Sequence, residues 1–92
     1  DINFWRTQSG AEVDFVLHKS RASLLPIEVK YQNMTQPKIT RSFRSFINAY
    51  QPLKGISVTK NFNAKTQLEN CEIHFISLAQ LNKLRTLVLS WA

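Results

Sequence analysis

Apolar and polar positions alternate with period two over the first third of the chain, then change once to the period of a helix. "FWRT", "QSG" and "AEVDFVLH" read as two short strands joined by a tight turn at Gln8 to Gly10. In the second strand, alternation sets Val13, Phe15 and Leu17 on one face and Glu12, Asp14 and Val16 on the other. After the polar connection "KSRAS", "LLPIEVKY" predicts a third strand, with Ile27, Val29 and Tyr31 opposite Glu28 and Lys30. Beyond Pro37, Ile39, Phe43, Phe46, Ile47 and Tyr50 fall within a stripe of roughly 100° on a 3.6-residue helix. Arg41, Arg44, Ser45 and Asn48 occupy its opposite side, and Pro52 and Gly55 are read as its stop. "GISVTK" and "CEIHFISL" predict two further strands, and Ser77 is the expected N-cap of a second helix beginning in "SLAQLNKL". "RTLVLSWA" reads equally as the end of that helix or as a strand, and its Leu, Val and Trp suggest an unmet partner surface.

The expected order is therefore three strands, a helix, two strands and a helix. A strand, a helix of about four turns and another apolar strand form a crossover, which favours parallel pairing. Joined to an antiparallel meander, it predicts an α/β fold with a mixed central sheet and helices covering at least one face.

The acids stand out within this pattern. The chain has 6 Asp and Glu in all, and Glu12, Asp14 and Glu28 lie in the second and third strands. A hairpin centred near Arg21 sets Asp14 opposite Glu28 and Glu12 opposite Lys30. Opposed residues have Cβ atoms about 4.5–5.5 Å apart, and like charges there repel. Two compensations are available. Asp14 and Glu28 can share a hard divalent cation, Mg²⁺ or Mn²⁺, which takes one or two carboxylates together with waters and phosphate oxygens. Alternatively Lys30, on the same face as Glu28, can pair with Glu12 or Asp14 in a surface ladder.

The arrangement of Asp14, a polar turn and then Pro26-Ile27-Glu28-Val29-Lys30 resembles the PD-(D/E)XK nuclease superfamily. More closely, "FWRTQSGAEVDFVL", "PIEVKY", a helix carrying "SFRSFINAYQP" and "GISVTK" look like the nuclease-like C-terminal domain, of unknown function, found on prokaryotic AAA-type ATPases. The resemblance covers residues 2 to 60 well and the remainder loosely. It implies a restriction-endonuclease-like mixed sheet with flanking helices, lacking the N-terminal helix that often supplies another acid. It further implies that Asp14 and Glu28 hold a metal with the carbonyl of Val29, that Lys30 positions water or stabilises charge on the scissile phosphate, and that Glu12 partners Lys30. Residues 1–92 then form a single nuclease-like domain cut from the C-terminal part of a larger ATPase, whose Walker loop GxxxxGK[ST] is absent from this sequence. The activity implied is metal-dependent phosphodiester hydrolysis. The alternative is a regulatory or dimerisation module of the ATPase, a homo-oligomer, whose acids form an ion-pair network with Lys30.

Composition adds limits. At 92 residues and 43% hydrophobic, one ordinary globular core is affordable. The formal net charge of +6 suits a polyanionic partner, DNA being the expected one, and admits a basic DNA-binding domain that uses no metal. Arg41 and Arg44 on the polar helix face, and Lys60 at the end of the strand after the crossover, are the candidate backbone contacts. Phe4 and Trp5 could stack on bases but read better as core or interface residues, and His18 and His74 read as a surface and a structural histidine. Cys71 cannot form an internal disulfide and reads as a buried, inert thiol. No apolar run approaches the ~18 residues of a membrane span, and no signal peptide is apparent, so the expected location is the cytoplasm.

Overall fold

The computed structural model describes residues 2–6, 12–20 and 23–91, with the side chains of 13–18 and 23–91. The turn expected at Gln8 to Gly10 and the side chains of Phe4, Trp5 and Glu12 lie outside the described residues. The elements are β1 (Ile2–Arg6), β2 (Glu12–Ser20), β3 (Ser23–Lys30), α1 (Arg41–Tyr50), β4 (Lys54–Thr59), β5 (Ala64–Leu68), β6 (Cys71–Ser77), a 3-10 turn (Leu78–Gln80) and α2 (Leu81–Trp91). They form one six-stranded sheet in the order β1-β2-β3-β4-β6-β5. Its β1-β2-β3 meander is antiparallel, β3-β4 and β4-β6 are parallel, and β5 returns antiparallel to β6. The fold is thus α/β with a mixed sheet flanked by two helices.

The sheet is covered on both faces. Val13, Val16, Phe43, Phe46, Ile47, Ile73 and Phe75 form the core beneath α1. Leu25, Ile27, Ile56, Val58 and Ile76 form a second cluster, over which Leu84, Leu87, Val88 and Trp91 of α2 are half-buried. The central strand β4, buried from Gly55 to Thr59, accordingly reads as a nearly continuous apolar run.

Two details correct the expected pattern in the front meander. Val13 and Val16 share the α1 core, whereas Leu17 packs in the other cluster and Phe15 is 38% exposed. The cause is a bulge: between the pairs Asn3↔Val16 and Trp5↔Val13, β2 carries one more residue than β1. An extra residue in one strand resets which side chains share a face. The "KSRAS" connection is also shorter than expected, because β2 runs to Ser20 and β3 starts at Ser23.

Helix α1 begins at Thr40, whose hydroxyl accepts the N–H of Phe43 at 3.2 Å, and ends at Gln51 in the left-handed region (φ 48°), whose N–H reaches Ile47 O at 2.8 Å. Gly55 is therefore not part of the helix stop. It lies in β4 under the Phe43 ring, where an added Cβ would stand 2.9 Å from Phe43 Cζ. Only a residue with no side chain lets that ring approach so closely.

Strand β5 has no counterpart in the expected order. "AKTQL" lacks an apolar alternation, and its burial merely alternates between intermediate and exposed at the sheet edge. The two-residue connection Glu69-Asn70 has a positive φ of 54° at Glu69, a position at which hairpin turns strongly prefer glycine. Glu69→Gly is expected to stabilise the protein by about 0.5–1 kcal/mol by relieving that backbone cost, measurable as a higher urea midpoint at unchanged m-value. Ser77 precedes the 3-10 turn without a side-chain cap hydrogen bond. Instead its N–H and hydroxyl both engage Asn63, each at 3.0 Å, and α2 begins four residues later than the expected helix.

Candidate functional site

The hairpin register expected from the sequence is observed for Phe15↔Ile27, Val16↔Pro26, Leu17↔Leu25 and His18↔Leu24. One step further would place Asp14 opposite Glu28, and there the pairing changes character. The Val29 N–H donates to Asp14 Oδ2 at 2.7 Å. The Asp14 carboxylate thus stands in for a backbone acceptor at the mouth of the hairpin.

Glu28 lies on the α1 face of β3 and is only 8% exposed. Its Oε1 accepts the Thr40 hydroxyl at 2.5 Å, while its Oε2 is buried without a hydrogen-bond partner among the described residues. Burial raises the Glu28 pKa above the ordinary carboxylate range; the Thr40 hydrogen bond opposes this, the charge of Asp14 adds to it, and Lys30 opposes it more weakly. The charge of Asp14 thus works in the same direction as burial at Glu28.

Ser57 is the direct neighbour of Glu28 in the parallel ladder, and its buried hydroxyl also has no partner. Two buried polar atoms without partners on neighbouring residues of the ladder are uncommon, since such groups are normally satisfied. Lys30, half-buried two residues on from Glu28, pairs through its backbone with Thr59.

The predicted nucleic-acid contacts divide into two groups. Arg41 and Arg44 are exposed on α1, directly after the Thr40 cap. Lys60 is exposed beyond the end of β4, with its Nζ 5.4 Å from the centroid of the Tyr31 ring. Neither group touches Asp14 or Glu28 directly. Thr40 and Ser57 are absent from the sequence-based candidates. A threonine immediately before an amphipathic run is a cap signal, but nothing in the local pattern shows that it reaches Glu28.

The remaining titratable groups read as structural. His74 Nε2 and Glu72 Oε1 are 2.7 Å apart on β6, and this hydrogen bond, with help from Lys65, lowers the Glu72 pKa. Cys71 is buried at the start of β6, and burial pushes its thiol up to about 11, as expected of an inert cysteine. His18 is exposed on β2.

A family model described as "Domain of unknown function (DUF4143)" matches residues 1–81. The chain belongs to the DUF4143 family. No curated protein matches it. The DUF4143 match takes in all six strands, α1 and the whole Asp14–Glu28–Thr40–Ser57 cluster, and it stops where α2 begins. Among the described residues of this DUF4143 domain, no group of three or more His, Cys, Asp and Glu is placed to hold a metal, and no helix is long and apolar enough to cross a membrane.

Proposed function

We propose that this domain binds Mg²⁺ or Mn²⁺ between Asp14 and Glu28 and hydrolyses phosphodiester bonds in DNA, as the nuclease-like C-terminal domain of a cytoplasmic AAA-type ATPase. The observation that carries this reading is that Asp14 is held by the N–H of Val29, the residue next to Glu28, while one carboxylate oxygen of Glu28 is buried with no hydrogen-bond partner among the described residues. Each acid already has one oxygen hydrogen-bonded, Asp14 Oδ2 to Val29 N–H and Glu28 Oε1 to Thr40, which fixes the other oxygen. An all-oxygen pair of this kind suits a hard cation that keeps several waters and substrate oxygens.

When bound, the ion would polarise the phosphoryl oxygens and lower the pKa of a coordinated water. The residues of the chain do the rest. Lys30 brings a positive charge to the side of Glu28 and offers ammonium protons to a phosphate oxygen. Arg41 and Arg44 stand in the N-terminal half of α1, where the helix dipole disfavours cations. Their placement at that end is better explained by an anionic partner, whose backbone charge they would neutralise.

The attraction between Lys30 and Glu28 supports a second reading, a regulatory or dimerisation module in which these groups form a structural ion-pair network. Titration calorimetry separates the two. Mn²⁺ is expected to bind the full chain, Asp14→Ala to abolish the heat, and a supercoiled plasmid to be nicked only by the unmutated protein. No binding at millimolar Mn²⁺ leaves the ion-pair module.

A further inference from the structure

Thr40 lies ten residues past β3, outside the strand pair that carries the acids, yet its hydroxyl is the one hydrogen-bond donor on the Glu28 carboxylate among the described residues. We propose that Thr40 is the positioning residue for Glu28: one hydroxyl starts α1 and aims the carboxylate at the space it shares with Asp14. This rests on the cation reading given above.

The geometry leaves that hydroxyl little choice. Its oxygen accepts the Phe43 N–H at 3.2 Å and its single proton goes to Glu28 Oε1 at 2.5 Å, so both functions of the group are in use. The backbone of Thr40, at φ −68° and ψ 161°, is that of a capping residue, which holds the oxygen against the first turn. The first turn is in turn fixed by Phe43, fully buried over Gly55. An unbroken series of contacts therefore runs from the core under α1, through the cap, to one oxygen of Glu28. A carboxylate has little freedom once one oxygen is tied down in a buried setting, so its free Oε2 takes its direction from Thr40. Outer-shell hydrogen bonds of this type orient metal ligands, and losing one typically weakens metal binding about 10–100-fold. Coupling between two sites is reciprocal. An ion held by Glu28 should therefore tighten the cap, and with it the helix turn that carries Arg41 and Arg44.

The test uses the full chain with Thr40→Ser, Thr40→Val and Thr40→Gly. Serine keeps both hydrogen bonds; valine removes both; glycine removes both but is tolerated as a cap at a small cost, so it serves if the valine variant does not fold. Calorimetry with Mn²⁺ is expected to give an affinity for Thr40→Ser within about twofold of the unmutated protein, and a loss of about tenfold or more for the other two variants. Added Mn²⁺ should slow hydrogen exchange at the Phe43 amide in the unmutated protein and in Thr40→Ser, but not in Thr40→Gly. A folded Thr40→Val or Thr40→Gly protein with unchanged Mn²⁺ affinity overturns the proposal, because a merely structural cap would lower the melting temperature alone. If the unmutated protein binds no Mn²⁺, the cation reading fails, and metal-free crystal structures then decide the positioning role. A Glu28 carboxylate that turns away from Asp14 in Thr40→Gly upholds it; one that stays in place overturns it.

Discussion

Replacing Glu28 by glutamine is expected to make the metal-free protein more stable at neutral pH and, at the same time, to abolish Mn²⁺ binding. The carboxyl pKa is raised in the folded state, chiefly by burial, from an ordinary value of 4.5. A group of this kind favours the fold fully below its unfolded pKa, and that contribution is lost as pH rises through the higher folded value. At pH 7 the ionised side chain is therefore a net cost. Glutamine has the same shape and no charge. Its carbonyl can still accept the Thr40 hydroxyl. The melting temperature of Glu28→Gln should thus exceed that of the unmutated protein at pH 7, and the two should converge near about pH 3.5, where the acid is neutral in both states. Mn²⁺ affinity should fall more than about 100-fold, since a ligand is lost and not an outer-shell partner. A gain in stability matched by a loss of function is the usual mark of a functional site. A glutamine variant less stable than the parent at pH 7 would show that the buried charge is well compensated.

Phe43→Ala carries the largest expected loss of stability. Phe43 is fully buried, lies over the bare backbone of Gly55 and belongs to the cluster containing Phe46, Ile47, Ile73 and Phe75. Removing a core phenylalanine costs about 3–5 kcal/mol, because the cavity adds to the lost transfer energy. A domain of 92 residues has a total of only about 5–14 kcal/mol. The melting temperature should fall by on the order of 15–30 °C, or the chain should fail to fold. The site would be affected as well, because Phe43 supplies the N–H that holds the Thr40 hydroxyl. Partial restoration by Gly55→Ala in the Phe43→Ala background would confirm the close approach of ring and strand, whereas a loss below about 1 kcal/mol would contradict it.

Much of this architecture could be read from residue spacing, and the exceptions have physical causes. The stripe Ile39, Phe43, Phe46, Ile47 and Tyr50 predicted α1 because a helix buries one side, and three of those five are fully buried while Tyr50 is 49% exposed. The pairing of β2 with β3 followed from the position of the turn, and it held from Phe15 to His18. Which faces are buried did not follow, because one extra residue between Val13 and Val16 leaves no trace in a pattern that already alternates. Strand β5 escaped because an edge strand with half its side chains in water needs no apolar alternation, and because Glu69 occupies a turn position where glycine would have been the signal. At the site, Asp14, Glu28 and Lys30 are legible as charges in apolar strands. Thr40 and Ser57 are not, since their contacts with or next to Glu28 depend on how α1 and β4 come to rest beside β3.

Helix α2 has no fully buried residue and rests on the sheet through half-covered Leu84, Leu87, Val88 and Trp91. An element held so lightly is expected to open at a smaller free energy than the whole domain. Its opening would bare Leu25, Ile27 and Ile56 and leave the α1 face shut, giving the molecule one permanent side and one intermittently adhesive side.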